Sequence, residues 1–234
     1  MIGMARGQQR GTVLREIRDS ISDLFSDGRN LYLEATDIRN NKAYMRYRDR
    51  GFEPVTLDEY YKSRYGKNHK LIRACFKDLS TSRAIGPDGS VYVCYYQESV
   101  ICQFDRMGTL VRRYEEMGKV DRVHDIAVHG DSIWCAYPTS HTIKRFSLKD
   151  GKLEVSLSEG EFGSDHGTIF SYPERLSIHG DTLYVSDMGN ERVCRVDLDT
   201  LVVECHVEMT KPVYGFERLG NKEFVLSGSK LYLL

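Results

Sequence analysis

Apolar and polar residues alternate along most of the chain in short runs separated by Gly, Asp, Asn and Ser, and this period of two predicts β-strands joined by tight turns. One run recurs. Five copies of a turn followed by a strand with an aromatic at its centre read SDGRNLYLEA from Ser26, PDGSVYVCYY from Pro87, HGDSIWCAYP from His129, HGDTLYVSDM from His179 and LGNKEFVLSG from Leu219. Their aromatic anchors, Tyr32, Tyr92, Trp134, Tyr184 and Phe224, stand forty to sixty residues apart, the spacing of one four-stranded sheet per repeat. Eight residues before each anchor lies an apolar residue (Leu24, Ala84, Ile126, Leu176 and Phe216), as an inner strand packed between neighbouring sheets requires. A third strand follows each anchor strand in KAYMRYR, VICQFDR, TIKRFSL, RVCRVDL and KLYLL. A fourth follows in GTLVRRY from Gly108, GKLEVSL from Gly151 and TLVVECHV from Thr200, and less regularly in GFEPVTL, where Pro54 fits only an edge.

The fifth copy has no fourth strand after it, but GTVLREI from Gly11 resembles GTLVRRY and directly precedes the first strand of the first copy, DSISDLF. The expected fold is therefore all-β: a five-bladed β-propeller of four-stranded blades, closed by the N-terminal strand completing the last blade. A six-bladed ring is the alternative and would need strands that are not found. The chain, 1–234, then reads as a single propeller domain: residues 11–17 form the outer strand of the last blade, 18–56 blade one, 57–80 an insertion, 81–116 blade two, 122–158 blade three, 172–208 blade four and 213–234 blade five. In the densest polar stretch, HGDTLYVSDMGNERV, His179, Gly180 and Asp181 are expected to form one turn and Asp187–Glu191 the next, where Gly189 and Asn190 tolerate positive φ. Recurrence makes this stretch architecture before chemistry.

The 33 basic and 34 acidic residues nearly cancel, which argues against wrapping nucleic acid by bulk charge. The N-terminal MIGMARGQQRGTVLREIRD has no apolar core of signal-peptide length, and no segment approaches the roughly 20 apolar residues that cross a bilayer. A cytoplasmic location without membrane contact is the expectation, although a domain cut from a secreted protein would read the same. Cys75, Cys94, Cys102, Cys135, Cys194 and Cys205 form no CxxC pair and sit mostly in strand-like runs, as reduced core residues do. A disulfide between Cys94 and Cys102 across one hairpin is the alternative.

The segment EGEFGSDHGTIFSYPERLSIHGDTLYVSDMGNERVCRVD, Glu159–Asp197, resembles the NHL repeat. That repeat runs from a Gly and Phe lead-in through Pro, an apolar inner strand, a Gly turn and an Ile/Leu-Tyr-Val-Asp core to Asn-x-Arg-Val. Matching positions are Gly163, Phe170, Pro173, Gly180, Leu183, Tyr184, Val185, Asp187, Asn190, Arg192 and Val193. Elsewhere TSHTI, ESVIC or NNKAY replaces the Asn-x-Arg-Val turn, so the resemblance bears on fold more than on function. It implies a class that includes protein-binding modules, RNA-binding modules, and lyases or lactonases that hold a divalent metal over the central channel. Fold alone does not choose among them.

Propeller ligands usually sit over the channel mouth, where the chain runs into the inner strands. Nine residues before each anchor stand Asp23, Arg83, Asp125, Arg175 and Gly215, and one earlier Ser22, Ser82, His124, Glu174 and Tyr214. Acids and arginines would then alternate around the mouth, either pairing as salt bridges that fix the ring or leaving Arg83 and Arg175 to grip a small polar ligand. The expected ligand-binding set is Asp23, Arg83, His124, Asp125, Glu174, Arg175 and Tyr214. Metal catalysis would draw on Asp23, Asp125, His124 and Glu174. Against it, the histidines share no blade position beyond the turn residues His129 and His179, no HxH or HxxH pair occurs, and arginines in the same ring oppose a cation. No GxSxG nucleophile is present, and Cys75, between Arg73 and Lys77, reads as a strand position despite basic neighbours that could lower its pKa.

The longest departure from the repeat is TLDEYYKSRYGKNHKLIRACFKDLS, Thr56–Ser80. Thr56 with Glu59 fits a capping box and Gly66 a helix end, which predicts a helix over 57–65. Its interleaved cations and aromatics suit phosphate contacts and base stacking, or else a solvated cap whose tyrosines rest on the propeller. A second insertion, Glu159–Tyr172, carries Glu159, Glu161, Asp165 and His166 without EF-hand spacing. The leading expectation is a non-catalytic binding or scaffold propeller, with no cofactor or metal, that presents its channel mouth and loops to a protein or small polar ligand. Single-stranded nucleic acid held by Tyr61, Lys62, Arg64, Tyr65, Lys67 and Lys70 is the second reading, and a metal-dependent lyase or lactonase the third.

Overall fold

A computed structural model describes residues 11–16, 20–37, 39, 41–48, 51–70, 72, 82–118, 121–157 and 170–234. Blade one consists of β2 (Ser20–Ser26), β3 (Leu31–Thr36), β4 (Lys42–Arg48) and β5 (Gly51–Pro54), and blade two, beyond the insertion, of β6 (Ser82–Ile85), β7 (Val91–Tyr95), β8 (Val100–Phe104) and β9 (Leu110–Tyr114). Blade three holds β10 (Asp125–His129), β11 (Ser132–Tyr137), β12 (Thr142–Ser147) and β13 (Leu153–Leu157); blade four holds β14 (Pro173–His179), β15 (Thr182–Asp187), β16 (Arg192–Asp197) and β17 (Val203–Glu208). The fifth sheet runs β18 (Val213–Leu219), β19 (Lys222–Ser227), β20 (Lys230–Leu233) and then β1 (Thr12–Glu16), which pairs antiparallel with β20 through Val13 and Tyr232. The fold is thus a five-bladed β-propeller closed by its N-terminal strand, and Pro54 lies in an outer strand as its missing N–H requires. Among the described residues no helix is long and apolar enough to cross a membrane.

Four of the five blade interfaces are sheet against sheet. Tyr92, Cys94 and Ile101 of blade two meet Ile126, Ile133 and Cys135 of blade three. Trp134 and Ile143 of blade three meet Leu183, Val185 and Cys194 of blade four. Tyr184 and Val193 meet Val213, Phe216 and Val225 of blade five, and Phe224 and Leu226 meet Leu31 and Leu33 of blade one. The fifth interface is different. The face of blade one formed by Phe25, Tyr32 and Tyr44 packs on Tyr60 and Tyr61, whereas the opposing face of blade two, with Val91, Val93, Tyr95 and Phe104, packs on Tyr61, Tyr65 and Ile72. The insertion is therefore a wedge between two blades.

The wedge is helix α1 (Leu57–Tyr65), and its ends are set by local chemistry. Thr56 caps the first turn and Glu59 reaches back to the Thr56 backbone, while Gly66 at φ 55° ends the helix. Tyr60, buried to 2% exposure, sits edge-on to Phe25 at 5.2 Å and tilted against Tyr44 at 4.8 Å.

The polar stretch of blade four is a packing device. Asp187 and Arg192 have no exposed side-chain surface; Arg192 Nε donates to Asp187 Oδ2 at 2.8 Å, Asn190 Nδ2 donates to the same oxygen at 3.0 Å, and Ser171 N donates to Oδ1 at 2.6 Å. This ties the turn to the segment that leads into β14. Neither Gly189 nor Asn190 takes up positive φ; the left-handed residue is Glu191 at φ 54°. Gly189 serves close approach instead: its N–H donates to Ser171 O at 2.7 Å, and an added Cβ would lie 2.4 Å from Ser171 Oγ. The alternative disulfide also fails. Cys94 is opposite Ile101 and Cys102 opposite Val93, so the two free thiols point to opposite faces of the sheet. Cys75, and the acids and histidine of the second insertion, lie outside the described residues.

Candidate functional site

Because each blade runs up and down, the segments leading into the inner strands and the turns between second and third strands share one end of the ring, here called the upper face. In β2, β14 and β18 the pairing skips a residue between Ile21 and Asp23, Pro173 and Arg175, and Val213 and Gly215. These bulges leave Glu174 and Tyr214 unpaired at the channel mouth, where a bulge re-aims a side chain.

Asp23, Asp125, Arg175 and Tyr214 line the channel here, and Arg64 from α1 joins them. Asp23 accepts hydrogen bonds from the Tyr60 hydroxyl at 2.8 Å and from Arg64 Nη1 at 2.9 Å. Asp125, buried, accepts from Ser82 Oγ and, at 2.7 Å, from the Leu176 backbone N–H, with Arg175 Nη1 4.0 Å away. His124 Nδ1 lies 3.1 Å from Glu174 Oε2, joining blades three and four. Burial works against the Arg64 charge, but Asp23 foremost, then Tyr65, Tyr60 and Asp125, outweigh it and raise its pKa. Burial, reinforced by Asp23, pushes the Tyr60 phenol well up, so it stays a donor. The room left between these groups is about 50 Å³, space for water and little else.

Arg83, expected in this ring, does not line the cavity; it lies near enough to Lys42 to oppose that charge. His124 and Glu174 bridge beside the channel rather than into it. Of the basic and aromatic set on the insertion, Lys62, Lys67 and Lys70 are exposed, Tyr61 is half-buried, Tyr65 is buried and Arg64 is paired inside the channel. Burial leaves the Tyr65 ring no face for a base. Among the described residues no group of three or more His, Cys, Asp or Glu is placed to hold a metal ion.

Sequence reasoning missed an aromatic rim on the same face. Arg122 lies over the Tyr96 ring at 5.2 Å, Tyr96 stands edge-on to His124, and Tyr172 stands edge-on to the buried His141, whose Nδ1 accepts from Tyr172 N at 3.0 Å. Tyr172 and Tyr214 are 37% and 41% exposed. Tyr96, Arg122 and Tyr172 sit on loops outside the repeated strands, and only the up-and-down topology shows that they share a face with Tyr214, which the offsets from the anchors place at the mouth.

No family model matches the sequence, and no curated protein sequence matches it. Solved structures do match in fold. The chain is similar to the computationally designed Ika4 protein, with a TM-score of 0.52 at 14% identity over 68% of this chain and 91% of that one. It is similar to a streptogramin B lyase at TM-score 0.53 and 11% identity over 94% of each chain, and to a chain of the nidogen/laminin complex at 0.53 and 13% over 89% and 72%. β-Propellers are among these neighbours, and at such identities the likeness is one of fold.

Proposed function

We propose that the protein is a non-catalytic binding propeller of NHL-like type that docks a protein partner on its upper face. One observation carries this reading: the charged groups at the mouth are paired with each other around about 50 Å³, while Tyr96, Arg122 and Tyr172 on loops and Tyr214 at the β18 bulge surround them. Tyr and Arg are residue types that dominate binding energy at protein interfaces. The resemblance of blade four to the NHL repeat fits, since its Asp187, Asn190 and Arg192 act as packing groups. A two-protein complex is also among the fold neighbours.

The test is affinity capture on immobilised full-length chain from nuclease-treated extract of the source cell, beside a variant carrying Tyr96→Ala, Tyr172→Ala and Tyr214→Ala. A protein retained by the parent chain and lost from the triple variant supports the reading. Equal retention by both refutes it, and retention abolished by nuclease points to nucleic acid instead.

A further inference from the structure

The two ends of the channel differ in room. At the lower face, where β2, β14 and β18 leave the ring, an open vestibule of about 590 Å³ contrasts with about 50 Å³ above, and it falls in the size range of small-molecule sites. Arg64, Leu24, Leu176 and Ser177 line both spaces, so these residues stand between them. The carboxylate that holds Arg64, Asp23, lines the upper space and not the vestibule.

A second guanidinium stands in the vestibule wall. Arg218 Nη1 donates to the Tyr184 hydroxyl at 3.3 Å, and Arg218 Nε lies 3.2 Å from Glu223, which again is outside the lining. The acid that does line the vestibule is Glu217, held 2.8 Å from His179 Nε2. Ser177 lines the vestibule as well, and its buried Oγ has no hydrogen-bond partner among the described residues. An unpaired buried hydroxyl is costly, and a ligand oxygen would relieve it. Gly28, Gly180 and Gly220 form the rim, all at positive φ, and a Cβ on any of them would meet nothing within 4 Å. The mouth is open on three blades.

We propose that this vestibule binds a small organic anion, a phosphate monoester or a polycarboxylate, through Arg64, Arg218 and the Ser177 hydroxyl. Asp23 and the Tyr65 hydroxyl take up Nη1 and Nε of Arg64, and Tyr184 and Glu223 lie against Nη1 and Nε of Arg218, so each guanidinium keeps its Nη2 group as the charged donor for an oxyanion. The site is separate from the upper face and extends the binding role to a second class of ligand. Its variants leave the tyrosine rim untouched, so either assignment can fail without the other.

The experiment is calorimetric titration of the full chain with glycerol 3-phosphate, AMP and citrate, beside glycerol, adenosine and sodium chloride of matched ionic strength. Saturable binding of an anionic probe, absent for its neutral counterpart, is expected. Binding of the phosphate esters alone, or of citrate alone, names the source of the oxyanion. Ser177→Ala should weaken binding about tenfold or more, the loss expected for a hydrogen bond to a charged group, with no fall in melting temperature because Ser177 Oγ bonds to nothing in the chain. Arg218→Gln should abolish binding, and Arg218→Lys replaces it if the glutamine variant does not fold. No binding by any of the three anions overturns the proposal, as does binding unchanged in both the Ser177 and Arg218 variants.

Discussion

Replacing Tyr60 with alanine removes the ring that joins α1 to blade one. The ring is 2% exposed, lies between Phe25, Tyr44 and Tyr61, and donates its hydroxyl to Asp23 at 2.8 Å. A buried aromatic covers roughly 150–250 Å², which at about 25 cal/mol per Å² gives ~4–6 kcal/mol as an upper bound. Measured aromatic-to-alanine losses of about 3–5 kcal/mol place the expectation near ~4 kcal/mol. For a chain of this size that corresponds to a melting temperature lower by about 8–16 °C. Tyr60→Phe separates the two contributions: it keeps the wedge and removes one donor from Asp23, which retains Arg64, for a loss of ~1–2 kcal/mol. Urea titrations followed by far-ultraviolet circular dichroism on the three proteins decide the matter. An alanine variant within ~1 kcal/mol of the parent would show that α1 does not hold the ring together. Equal losses in both variants would assign the effect to the hydroxyl.

Asp187→Asn leaves the fully buried Arg192 without its counter-charge and should cost about 3–5 kcal/mol in urea unfolding, since breaking a buried ion pair from one side strands the other charge; a loss below ~1 kcal/mol would mean the pair is dispensable. Deleting residues 1–17 removes β1 and bares the edge of β20, and size-exclusion chromatography should then show aggregates or misfolded chain instead of a stable monomer. Hydrogen bonds from Asn41 to Asp37, Ser90 to Asp88, Thr109 to Asp105, Lys152 to Asp150 and Thr200 to Asp197, and from Thr56 to Glu59, lower those carboxyl pKa values. Their stabilisation is present above the unfolded carboxylate range near pH ~4 and is lost as pH falls through the lower folded values. Urea midpoints measured from pH 7 downward should therefore hold level to about pH 4 and then drop.

Much of this architecture was legible because β-periodicity is local and the repeat fixes register. The aromatic anchors, the apolar inner positions such as Leu24 and Ile126, and the closing strand around Val13 all follow from patterns within a few residues. So does α1, since its capping box involves only Thr56 and Glu59. Its destination does not follow, because nothing near Tyr60 in the chain shows that blades one and two stand apart. A clue lay in Tyr60 and Arg64, one helical turn apart, which both reach Asp23. The ring of mouth residues was half legible: equal offsets from the anchors found Asp23, Asp125, Arg175 and Tyr214, but Arg83 falls outside the cavity lining. The lower vestibule was hidden because Arg64, Ser177 and Arg218 come from three elements remote in sequence.

Trp134 is the chain's single tryptophan, 1% exposed beneath Arg145 at 5.4 Å in the contact between blades three and four, across the ring from α1. Its emission therefore watches a joint made of two sheets and is blind to the one joint made with a helix. Tyrosine near-ultraviolet dichroism sums over all 15 tyrosines, and Tyr60, Tyr61 and Tyr65 supply the share that comes from the helix joint. A chain that springs open like a clasp at α1 would lose that share of the tyrosine dichroism while the tryptophan emission still reads native.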